Sequence, residues 1–205
     1  MKKLFAFTLA EVLLTMSIVG AVAAMTIPTL HYNRIRKEYT TKLKNFYSHM
    51  ESAIMDMEMD KGSFRDMTKP VSGTGFDWYM ENIDPYMGHQ YVDTTKKAVY
   101  YKDGTKLDLF YTGGCLDVDY DVNGDKAPNT LGFDRFRFLY CFTDSDRKGW
   151  FDNKNTFFGT YGSGLTATST TRADIIAKCK ENKMWCTRLL QHDQWEFKGD
   201  YPNRF

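Results

Sequence analysis

The chain has 205 residues, 42 % hydrophobic and 16 % aromatic, which is enough for one domain with a real core plus an anchoring segment. Its 27 Lys and Arg against 26 Asp and Glu give a net charge of +1, so the basic excess of a nucleic-acid binder is missing and no nucleic-acid partner is expected. The four cysteines, at 115, 141, 179 and 186, form no CxxC pair and no zinc-type Cys/His spacing.

The N-terminus opens with two basic residues, Lys2 and Lys3, followed by Leu4-Phe5-Ala6. Phe7 to Leu30 then form an apolar run with one charge, Glu11, and as a helix this run would span roughly 36 Å, enough to cross a bilayer core. Lys2 and Lys3 place its start on the cytoplasmic side. A second basic group, Arg34, Arg36 and Lys37, follows the run and weakens that asymmetry. A carboxylate inside an apolar span costs a few kcal/mol near the bilayer centre, so Glu11 needs a partner. A cut after Ala6 would supply one. Phe7 would then carry a free ammonium, with Glu11 one helical turn away, and the same carboxylate could meet the ammonium of a neighbouring copy and set the register between subunits.

These residues, Lys-Lys-Leu-Phe-Ala followed by Phe-Thr-Leu-Ala-Glu-Val-Leu, resemble the cleavage and methylation motif of type IV prepilins and type II secretion pseudopilins. Phe7, Glu11, Gly20 and Pro28 each fall where that motif has them; at the cleavage position the family usually has Gly and this chain has Ala6. The resemblance implies processing by a prepilin peptidase after Ala6, N-methylation of Phe7, and assembly of helices through Glu11 and Phe7 into a periplasmic or extracellular filament with other pilin or pseudopilin subunits. It also implies a cytoplasmic-membrane protein with its C-terminal domain outside, and a pilin-like α+β fold. Two simpler readings compete. One is a secretory signal peptide cut at Ala21-Val22-Ala23, against which Glu11 argues; the other is a plain membrane anchor.

Beyond Pro28 the helical pattern continues, with Ile35, Tyr39, Leu43, Phe46, Met50, Ile54 and Met57 at steps of three and four and Gly62 as its stop. One long helix over residues 7–61, kinked near Pro28, is expected. The segments are then a leader 1–6, an assembly helix 7–30, an amphipathic continuation 31–62, and an extracytoplasmic α+β domain 63–205. Within that domain, Phe76 to Met87 suggests a short helix. Ala98 to Tyr101 and Leu107 to Tyr111 flank the turn pair Asp103-Gly104 as a hairpin. Leu116 to Tyr120 and Phe133 to Phe142 alternate as strands, while Phe157 to Leu165 reads as a loop or edge strand. A helix over Thr171 to Lys183, capped by Thr170 or Thr171, precedes a short final strand or docked segment around Trp195-Glu196-Phe197. A long helix packed on a small antiparallel sheet of three or four strands follows.

Asp119, Asp121, Asn123 and Asp125 match the opening of a calcium loop, D-x-D-x-N-G. The twelfth position is Thr130, not Glu, and Asp134 is the nearest acid that would substitute. The same residues read equally as a polar turn reversing at Asn123-Gly124. The stretch from Asp121 to Asn129, with Gly132 and Asp134, resembles a segment common in pseudopilin-like proteins, some of which bind calcium. Two disulfides are natural for a domain outside the cytoplasm; pairing 115 with 141 and 179 with 186 minimises the loops, but three connectivities stay open. No catalytic constellation is present. Gly162-Ser163-Gly164 lacks the nucleophile elbow, and His31, His49, His89 and His192 are scattered. A structural subunit, not an enzyme, is therefore expected; the alternative is a secreted or anchored binding module that uses calcium.

Overall fold

The computed structural model describes residues 8–151, 155–162 and 171–203. The leader, the cleavage pair Ala6 and Phe7, Ser163, Gly164 and the alternative cap Thr170 lie outside these residues. The chain divides into two compact units, Met1–Glu38 and Tyr39–Phe205.

A single helix, α1 (Leu9–Lys61), is continuous through Pro28 and ends where expected: Gly62 takes φ 91° and donates its N–H to the Glu58 carbonyl at 3.0 Å. In the first unit its apolar side chains are open, with Leu9, Met16, Val19 and Met25 all more than 60 % exposed.

The second unit is α+β. A single 3₁₀ turn (Phe64–Asp66) leads to α2 (Gly75–Asn82) and α3 (Asp84–Met87). The short helix expected over 76–87 is thus broken at Ile83, where Pro85 removes a donor and starts a new turn. Six strands follow in a meander, each antiparallel to the next and in sequence order across the sheet: β1 (Tyr91–Asp93), β2 (Ala98–Tyr100), β3 (Lys106–Tyr111), β4 (Cys115–Asp121), β5 (Arg135–Cys141) and β6 (Phe158–Thr160). The sheet is wider than the three or four strands expected: β6 takes the edge-strand reading of 157–165, and β1, at three residues, is too short to show a period of two.

The register explains the core. Leu116 faces Tyr140, Val118 faces Phe138 and Tyr120 faces Phe136, so alternate residues of β4 and β5 make one apolar sheet face. The buried stripe of α1 lies against it: Phe46 stacks on Tyr120 with ring centroids 4.0 Å apart and meets Phe138 edge-on at 5.2 Å. The other face is ionic. Asp119 lies opposite Arg137 and Asp121 opposite Arg135, and all three aspartates of β4 are buried.

Helix α4 (Asp144–Phe151) was not expected from the sequence; its single apolar turn carries too little periodicity. Helix α5 (Arg172–Glu181) begins at the expected cap, Thr171, which exchanges hydrogen bonds with Asp174 in a capping box. Helix α6 (Cys186–His192) lies in a stretch for which the sequence suggests no element. Trp195 is not in a strand. It holds φ 66° and docks, buried, 5.1 Å from the Tyr47 ring.

Candidate functional site: the apolar helix and the acidic turn

In the apolar run the hydroxyls of Thr15, Ser17 and Thr26 are spent within the helix. Thr15 donates to the Val12 carbonyl at 2.9 Å, Ser17 to Leu13 at 2.8 Å and Thr26 to Val22 at 3.0 Å. Glu11 is the one ionic group left in the run. Its Oε2 accepts from both the backbone N–H and the hydroxyl of Thr8 at 2.8 Å, while its own N–H donates to the Thr8 hydroxyl at 3.3 Å. This is a capping box, so Glu11 closes the helix start. The T-x-x-E spacing of Thr8 and Glu11 carries that signal in the sequence. Among the described residues, α1 alone is long and apolar enough to cross a membrane.

Both disulfides form in the pairing with the smallest loops, Cys115–Cys141 and Cys179–Cys186, with no free cysteine left. The first joins directly opposed residues of β4 and β5; the second ties α5 to α6.

The four candidate calcium ligands are spread over different jobs. Asp119 takes the Arg137 guanidinium in a two-point bond, at 2.6 and 2.8 Å, and lies 3.3 Å from Arg135. Arg137 is further stacked 4.5 Å over the Phe110 ring. Asp125 is held by Lys106 and the Tyr100 hydroxyl, both at 2.9 Å, and the Lys106 bond keeps its carboxyl below the usual range.

Asp121 and Asn123 do stay together. Asp121 accepts from the Asn123 N–H at 3.2 Å, and the Asn123 amide donates to Asp134 at 3.2 Å. Asp134 is fully buried and also accepts the N–H groups of Asn129 at 2.9 Å and Thr130 at 2.6 Å. Burial pushes the Asp121 carboxyl up to about 7, with the Asp134 charge adding to the rise and the Asn123 N–H opposing it. Gly124 turns the chain at φ 72°, where a Cβ would sit 2.8 Å from the Gly104 carbonyl; no other residue fits. One end of the Asn129 amide lies 2.9 Å from Asp121 Oδ2 and 3.2 Å from the Gly124 carbonyl. With its nitrogen turned there, the amide donates to both. Among the described residues no group of three or more His, Cys, Asp and Glu side chains is placed to hold a metal.

Among the described residues, histidines and hydroxyls do not assemble into a nucleophile pair. His89 is bonded through Nδ1 to the buried Asp84 at 2.6 Å, and His192 lies 3.5 Å from Asp193. A groove of about 630 Å³ between α1 and the β2–β3 turn holds His49, His89, Tyr101 and Lys102 among its lining residues.

What these features define is an α+β domain with two disulfides, following a helix long and apolar enough to span a membrane. A family model matches residues 29–205, and the chain belongs to that family, DUF6613, described as a family of unknown function. No curated protein and no solved structure matches the chain. The family match begins just after Pro28, so it covers the amphipathic part of α1 and the domain but not the apolar run.

Proposed function

We propose that this chain is a structural subunit, a pilin or pseudopilin, of a type IV pilus-like or type II secretion-like filament. The observation that carries the reading is Glu11, one carboxylate at the start of an otherwise uncharged apolar run. Such a group is expensive in hydrocarbon unless it meets a cation. On this reading a prepilin peptidase of the cytoplasmic membrane removes residues 1–6, and Glu11 pairs with the Phe7 ammonium of a neighbouring copy. The domain stands outside the membrane, where its two disulfides persist. The scattered histidines support a structural over an enzymatic role. Glu11→Ala should leave the domain folded and membrane-bound, with an unchanged melting temperature, and abolish filament incorporation; incorporation at the wild-type level contradicts the mechanism.

A second reading, a calcium-dependent binding module, draws on the D-x-D-x-N-G spacing and on Asn123, which bonds to the two buried carboxylates Asp121 and Asp134. Carboxylate and amide oxygens in such a turn are the hard donors that suit Ca²⁺. Millimolar calcium should then raise the melting temperature of the full chain, and Asp134→Asn should cancel the rise. A melting temperature indifferent to calcium removes this reading.

A further inference from the structure

Asp84 is an expensive residue where it stands. Its side chain is 6 % exposed, and among the described residues its Oδ1 is the only carboxylate oxygen buried without a hydrogen bond. Its Oδ2 has one partner, His89 Nδ1 at 2.6 Å. A carboxylate only accepts, so Nδ1 carries the hydrogen, and the ring is held in one orientation with Nε2 as its free nitrogen. The ring itself is 38 % exposed. An ion pair with an exposed partner adds little stability, while burying the carboxylate costs more than the pair returns. Residues that break a local preference with no gain to the fold mark a functional position.

His89 lines the groove of about 630 Å³ between α1 and the β2–β3 turn, and His49 of α1 lines the same groove. His49 is exposed and, among the described residues, makes no hydrogen bond or ion pair. The lining residues all belong to the second unit. His192 is different. It approaches Asp193, but that carboxylate is already taken by Arg172 at 2.7 Å and Lys198 at 2.9 Å.

An imidazole whose Nδ1–H is held by a carboxylate, with Nε2 left open, is arranged as a metal-ligating histidine is. The carboxylate fixes the ring and makes the other nitrogen a better donor. We propose that this groove binds a divalent transition-metal ion of the zinc type through Nε2 of His89 and the imidazole of His49, with Asp84 as the positioning residue behind His89. His89 is fixed by its bond. His49, exposed and unbonded, turns about its two side-chain torsions to complete the pair. Two imidazoles leave the remaining positions of the ion to water, so the site is open, in keeping with the lack of a three-ligand cluster among the described residues. Its nitrogen ligands set it apart from the acidic turn, whose oxygens suit calcium. The site goes beyond the filament reading and does not depend on it.

Zinc titrated into the full chain in detergent, followed by calorimetry, tests the site. One saturable equivalent is expected, and X-ray absorption at the zinc edge should show two imidazole nitrogens at about 2.0 Å. His49→Ala and His89→Gln should each weaken binding by about tenfold or more. The Gln amide can still donate to Asp84, so the melting temperature in chelator should stay at the wild-type value. Asp84→Asn keeps both ligands and should still weaken binding by about ten- to a hundredfold. His192→Ala and Asp134→Asn should bind zinc as the wild type does. The proposal is overturned by the absence of saturable binding, by a single imidazole per ion, or by full affinity in either histidine variant. Loss of zinc binding in Asp134→Asn also overturns it, because the ion would then sit in the acidic turn.

Discussion

Asp121 and Asp134 are both fully buried, two carboxylates under one turn. A carboxyl whose pKa rises from an ordinary 3.8 to about 7 on folding favours the native state only while protonated. That contribution is complete below pH 3.8 and is lost as pH climbs through 7. Asp121→Asn should therefore melt higher than wild type at pH 8, with the gap narrowing towards pH 5. An equal gap at both pH values, read by thermal denaturation in chelator, contradicts this assignment. At the residue scale the acidic turn was half legible. The D-x-D-x-N-G spacing located the turn and the need for Gly124. It could not show that Arg137 and Lys106 would take Asp119 and Asp125, because those partners come from neighbouring strands. The role of Asp134 as the acceptor for the 129–130 backbone depends on the fold of the turn itself.

Among the elements, α1 and the β4–β5 pair carry the core of the second unit. Their signals were strong in the sequence because both periods are long: the three–four spacing from Tyr39 to Met57, and the alternation of Phe136, Phe138 and Tyr140. Phe46 sits where the two meet, 5 % exposed, between Tyr120 and Phe138. Phe46→Ala should cost about 3–5 kcal/mol in urea unfolding. A loss under about 1 kcal/mol would mean that the helix does not close the sheet face. What escaped the sequence were the short pieces. β1, α4 and α6 have between three and eight residues each, and tertiary packing alone fixes them. Cys186 opens α6 and bonds to Cys179 near the end of α5, so this helix is ordered by a covalent tie that spacing suggested but did not assign.

For the whole molecule, the account joins a helix fit to cross a membrane with a disulfide-bonded α+β domain. The fold class was readable from the sequence, since one long helix followed by alternating strands leaves few layer arrangements. Assembly is a proposal that starts from a resemblance, carried by about thirty residues of which 1–7 lie outside the described structure.

The central claim is that the apolar helix is an assembly element released by removal of a short basic leader. Mass spectrometry of the N-terminal peptide of the native protein tests it most directly. The account predicts a chain beginning at Phe7 with a methylated amine; a chain beginning at Ala24, or one that keeps residues 1–6, contradicts it.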